Sequence, residues 1–166
     1  MKAKLIVEGK EFDIDIFDPE LVKLVKPENN TGYENCGYGH TYYYVNNYGE
    51  VKITDHLDND DDKRYNEANY YRNCDVAENN ARADRLMRQL RRFAVEHREN
   101  DLNWGDRQWK YRIYYSHSES ELYIGLDILA HDFGAIYFDS KDACELAIKT
   151  FHDELVWYFT KYKDSI

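Results

Sequence analysis

The chain has 166 residues, with 32 acidic against 22 basic side chains and a formal net charge of −10. That length suits one well-cored domain, and a 43% hydrophobic share excludes wholesale disorder. The charge opposes non-specific binding of nucleic acid, which would need a local basic patch, and favours basic partners.

Leu5 to Ile16 reads as a β-hairpin, with Gly9-Lys10 as its turn and Phe12, Ile14 and Ile16 alternating with Asp13 and Asp15. Asp18-Pro19 opens a short helix whose apolar side is Leu21, Leu24 and Val25. A Gly-rich loop (Gly32, Gly37, Gly39) leads into a strand at Thr41 to Asn46, and Val51 and Ile53 mark its return. Asp58 to Asp62 reads as a charged loop, followed by a short strand near Arg64 to Tyr71 and a helix from about Asp75 to Arg98. On that helix Leu86, Leu90, Phe93 and His97 share one face at helical spacing, which makes His97 a core histidine. The second half repeats the order: strands at Gln108 to Tyr115, Leu122 to Leu126 and Gly134 to Phe138, then a helix capped by Ser140 and running to about Tyr162.

The match goes beyond order. Ala68 to Glu78 lies over Ala135 to Glu145 at an offset of 67 residues, with Ala, Tyr, an aromatic, a small cap, Asp and Glu in register. The fold expected is therefore α+β, with antiparallel sheets carrying helices on one face. Two pseudo-repeated β-β-β-α units, residues 41–100 and 101–166, form one compact domain with an N-terminal part, residues 1–40, that holds the hairpin, short helix and Gly-rich loop.

Composition narrows the chemistry. Sixteen tyrosines favour sheets and contact surfaces, since each ring buries area and keeps a polar tip. Three scattered cysteines, Cys36, Cys74 and Cys144, fit free thiols in a reducing cytosol. No apolar run approaches the ~20 residues that span a bilayer, and the N-terminus lacks a signal-peptide core.

Asp58, Asp60 and Asp62 partly fit an EF-hand, but Lys63 stands where the turn glycine belongs and Asn69 where the final Glu belongs, so no metal is expected. Cys36-Gly37-Tyr38-Gly39-His40 brings a thiol near an imidazole without a third orienting residue. Arg85, Arg88 and Arg92 cluster on the helix face opposite Leu86, Leu90 and Phe93, balanced by acids along the same helix. In the aromatic strand Tyr42 and Tyr44 point one way and Tyr43 the other, so whichever face stays open presents rings that stack bases or anchor a protein. The histidines show no metal spacing, and the Walker A, zinc-protease and serine-hydrolase patterns are absent. No cofactor and no enzymatic activity are expected.

The run Tyr42-Tyr43-Tyr44-Val45, then Arg64-Tyr65, Ala68-Asn69-Tyr70-Tyr71 and the Arg85 to Leu90 helix segment, resembles a set of small uncharacterised proteins of phages, prophages and mobile elements of Gram-positive and gut bacteria. Trp104, Lys110-Tyr111 and Ile136-Tyr137-Phe138 with Ala143 extend the resemblance over roughly residues 41–160. The resemblance implies an accessory protein in the cytoplasm of a host bacterial cell and supplies no catalytic residues. By analogy with small acidic phage proteins, the expected function is inhibition of a host defence nuclease, anti-CRISPR style, by an acidic surface that occupies a basic nucleic-acid site. Asp58, Asp60, Asp61 and Asp62 would make the electrostatic contact, with Tyr42, Tyr43 and Tyr44 as packing anchors. The partner would be a host protein with a basic surface, such as a CRISPR nuclease; a homodimer is compatible with this and a membrane is not involved. The alternatives are a nucleic-acid-binding module using Arg85, Arg88, Arg92 and the sheet tyrosines, and a small enzyme without a recognisable motif.

Overall fold

The computed structural model describes residues 2–7, 10–15, 31–105 and 107–162. The chain divides into two units, Met1–Thr31 and Gly32–Ile166. In the first, β1 (Lys2–Val7) pairs antiparallel with β2 (Lys10–Asp15), Lys2 opposite Asp15 and Val7 opposite Lys10. The expected turn at Gly9 and the short helix at Asp18-Pro19 lie outside the described residues. The Gly-rich loop, grouped by sequence with residues 1–40, belongs instead to the larger unit. Gly32 shows why: its carbonyl accepts from Arg72 N at 2.8 Å, its φ is +85°, and a Cβ there would sit 3.0 Å from Val76.

The larger unit is α+β. β3 (Thr41–Val45) and β4 (Val51–Asp55) form a hairpin around a turn at Gly49, with Tyr43 opposite Ile53. The expected loop at Asp58 to Asp62 and strand near Arg64 are instead a helix, α1 (Asn59–Asn66). Asp58 caps it, accepting from Asp60 N, and Asp61 completes a capping box back to the Asp58 backbone. Acids fill its first turn and Lys63 and Arg64 its last, as the helix dipole prefers. Past its end Ala68 takes φ +54° with its N–H on Tyr65 O, and the chain swings back so that Tyr71 bridges Tyr43. Only that one residue of the expected strand pairs with the sheet main chain to main chain.

α2 (Cys74–Glu96) follows, capped by Asn73. β5 (Lys110–Ser116), β6 (Glu121–Asp127) and β7 (Tyr137–Phe138) make the second sheet in the order β6-β5-β7. α3 (Lys141–Thr150) is capped by Ser140, 67 residues after Asn73. In each half a hairpin, a short antiparallel return beside its first strand, a cap and a helix follow in order, and α1 lies between the hairpin and the return of the first half. The helix expected to continue to Tyr162 breaks at Phe151, where φ −112° and ψ 19° leave the helical region. Thr150 Oγ1 back-bonds to Leu146 O, which strains the ladder there, while Phe151 packs edge-on against Phe93. α4 (His152–Trp157) and a π-helical turn, Tyr158–Tyr162, complete the chain's described part.

The core lies where α2 and α3 meet the second sheet: Leu86, Leu90, Phe138, Cys144, Ala147 and Leu155 are buried together. Alanines at 81 and 94 on α2 and at 143 and 147 on α3 keep the buried faces small, which allows close packing. Arg82 donates from Nε and Nη2 to the two carboxylate oxygens of Glu154 at 2.8 and 2.9 Å and lies 3.9 Å over the Trp157 ring, tying α2 to α4. His97 is exposed, contrary to its place on the apolar stripe: it ends α2, where its ring stacks on Phe93 at 3.8 Å.

Candidate functional site: the acidic helix and its tyrosine cluster

Helix α1 has one inward acid and several outward ones. Asp58, Asp60 and Asp62 are exposed, while Asp61 is 4% exposed and points into the unit. Its carboxylate accepts from Leu57 N at 2.8 Å, Asp58 N at 3.0 Å and Arg64 at 2.8 Å, and from the Tyr42 hydroxyl. Burial alone would push that carboxyl up; the Tyr42 hydroxyl, the two backbone N–H groups and the Arg64 charge outweigh it and hold it at about 2. Tyr42 is raised in turn to about 12, first by burial and then by its bond to Asp61.

Of the expected anchors, Tyr42 is fully buried and Tyr43 and Tyr44 are half-buried. Tyr42 and Asp61 therefore present no surface to a partner; they join α1 to β3. Arg64 completes the joint, donating to the Tyr42 hydroxyl at 2.7 Å while its guanidinium lies 4.3 Å over the Tyr44 ring. Arg64 stands three residues after Asp61, the spacing at which opposite charges pair on a helix; the expectation of a strand here hid that pair.

A second row of polar groups lies behind. Tyr70 stacks on Tyr42, centroids 3.8 Å apart and planes 11° from parallel. The Tyr70 hydroxyl meets Cys36 Sγ on one side and His56 Nδ1 at 3.3 Å on the other, and His56 Nε2 faces Asp62 Oδ1 at 3.3 Å. Burial raises Tyr70 well above the ordinary phenol range, so it enters this chain as a neutral hydroxyl. The imidazole linked to Cys36 is thus His56; His40, its neighbour in sequence, offers Cys36 only its backbone carbonyl at 3.4 Å. Nothing in the spacing of Cys36, His56, Asp62 and Tyr70 announces this arrangement, because three segments converge on it.

Arg85, Arg88 and Arg92 are exposed on α2. Their contacts differ: Arg85 donates to Gly49 O at 3.4 Å, and Arg92 approaches Glu96 at 3.6 Å. Among the described residues no three His, Cys, Asp or Glu side chains are placed to hold a metal ion, and no helix is long and apolar enough to cross a membrane. No family model matches the chain, and no curated protein or solved structure does.

Proposed function

We propose that this chain acts by binding a protein with a basic surface, as an accessory factor of a phage or mobile element that inhibits a host defence nuclease in the bacterial cytoplasm. One observation carries the reading. From Asp55 to Glu67 there are six carboxylates against two basic side chains, and all the carboxylates but Asp61 are exposed. The stretch sums to −4 of the net −10, with Asp58 capping α1, Asp60 and Asp62 exposed on it, and Lys63 paired with Asp60 at 2.6 Å. A row of fixed negative charge suits the nucleic-acid channel of a nuclease such as a CRISPR effector. Tyr65, 40% exposed on the same helix, serves as the ring anchor in place of buried Tyr42. The likeness of the two halves fits descent by duplication, with α1 acquired in one copy as the partner-binding element.

The test is calorimetric titration of a purified basic nuclease at two salt concentrations. The triple variant D58N/D60N/D62N keeps a competent helix cap, since Asn caps about as well as Asp. It is expected to bind roughly tenfold more weakly and with a flatter salt dependence. Unchanged affinity and salt dependence would overturn the proposal.

A further inference from the structure

The two sheets differ at one edge. On the side of β3 away from β4, Tyr43 exchanges main-chain hydrogen bonds with Tyr71 at 2.7 and 2.8 Å. Two residues on, the side chain of Asn69 stands in for a strand: it accepts from Val45 N at 2.7 Å and donates to Val45 O at 2.8 Å. That edge is closed. In the second sheet β7 covers only Tyr111 and Arg112. From Ile113 to Ser116 the main chain of β5 pairs with no strand on that side among the described residues. At the 67-residue offset the position of Asn69 is held by Ile136, whose side chain cannot hydrogen-bond an edge. The open segment, Ile-Tyr-Tyr-Ser, also lacks the charges, prolines and bulges that normally blunt a free edge.

A groove of about 260 Å³ lies beside it, lined by Leu86, Met87, Ile113, Ile136, Tyr158 and Phe159. Arg112 and Asp132 stand at its rim. Arg112 is bonded to Asp127 at 2.6 Å and faces Asp132 at 3.3 Å, and the Asp132 side chain is 56% exposed. Two carboxylates against one guanidinium leave the rim negative.

We propose that the Ile113–Ser116 edge and this groove bind an extended segment of another protein as an added strand. Its main chain pairs with β5, alternate apolar side chains enter the groove, and a lysine or arginine meets Asp132. A second copy is the poorer occupant, because each copy carries −10 and the rim is itself negative. This surface lies on other elements than α1 and does not rest on the acidic-helix reading.

The probe is an acetylated, amidated heptapeptide alternating lysine and valine, titrated into the full chain and followed by amide shifts and hydrogen exchange. Saturable binding that protects the Ile113 to Ser116 amides is expected. Two further peptides carry N-methyl groups on one or the other set of alternate amides. One of them should bind about tenfold more weakly, because only one set of amides faces β5, and the other should bind as the parent does. Ile136→Asn, which supplies the carboxamide that closes β3, should weaken the parent peptide similarly, and D58N/D60N/D62N should leave it unchanged. The proposal is overturned by no saturable binding up to about 1 mM, by equal binding of all three peptides, or by loss of binding in the α1 variant. Protection of Ile113 to Ser116 through self-association without peptide would also overturn it, making a second copy the occupant.

Discussion

Asp61 is the residue on which the joint between α1 and β3 depends, and replacing it tests the account of the whole cluster. Asp61→Ala removes an acceptor that serves four donors: Leu57 N, Asp58 N, Arg64 and the Tyr42 hydroxyl. The Leu57 and Asp58 N–H groups, part-buried at the start of the helix, lose their capping acceptor. The Tyr42 hydroxyl is fully buried and loses its acceptor, while Arg64, whose side chain is 34% exposed, recovers part of its hydration. A buried unpaired donor costs about 1–3 kcal/mol, and loss of the capping box adds about 1 kcal/mol, so the expected destabilisation is about 3 kcal/mol. Urea unfolding followed by tyrosine fluorescence and circular dichroism measures it. The double variant with Tyr42→Phe should cost clearly less than the two singles together, because removing the hydroxyl removes the orphaned donor. Acid dependence supplies the second arm. The carboxyl is held at about 2, below its ordinary value, so its stabilisation is complete above about pH 4 and fades as the pH falls toward 2. Asp61→Asn should remove that part of the acid dependence. A loss below about 1 kcal/mol for Asp61→Ala, with additive singles, would refute the reasoning.

The remaining expectations concern other parts of the unit. Ala68→Gly relieves a left-handed backbone at φ +54° and should stabilise by up to about 1 kcal/mol in urea unfolding. Gly32→Ala should do the reverse, losing about 1–2 kcal/mol, because φ is +85° and the new Cβ meets Val76 at 3.0 Å. Asp139→Ala leaves the N–H groups of Glu99 and Asn100 without the carboxylate oxygen that accepts both, at 2.8 and 2.6 Å, and should cost about 2 kcal/mol, measured the same way. Burial pushes the Cys144 thiol up to about 12, so alkylation at pH 8 should label Cys36 and Cys74 in the folded chain and reach Cys144 only in denaturant, as mass spectrometry would show.

The hairpins and the two capped helices were legible because their signals are local. Thr41 to Val45 is an unbroken run of aromatic and β-branched residues, Val51 to Ile53 alternates on the return, and Asn73 and Ser140 precede apolar helical spacing. Helix α1 was not, because amphipathic patterning is the usual helix signal and α1 buries a single residue, Asp61. What holds it is a capping box and one inward carboxylate, and a run of aspartates hides both. Alternation also placed Tyr42 and Tyr44 on one face without showing that Arg64 and Asp61 would cover it. The chain of Cys36, Tyr70, His56 and Asp62 was out of reach for a different reason: its members meet only after the chain turns back at Ala68. The break at Phe151 similarly reflects a tertiary contact with Phe93 that no helical wheel contains.

The bond between Arg82 and Glu154 closes a loop of 72 residues and joins the first half's helix to the last elements of the second. Closing so long a loop is entropically costly, so this contact belongs late in folding, after each hairpin and helix has formed. Arg82→Met should then leave the refolding rate nearly unchanged and speed unfolding, since a contact absent from the transition state acts on the unfolding limb. The fork of Arg82 over Trp157 is in that sense a latch on lifetime: it adds to the shared core of Leu86, Leu90, Phe138 and Cys144 in keeping the two halves together once folded, and has little part in how quickly they find each other.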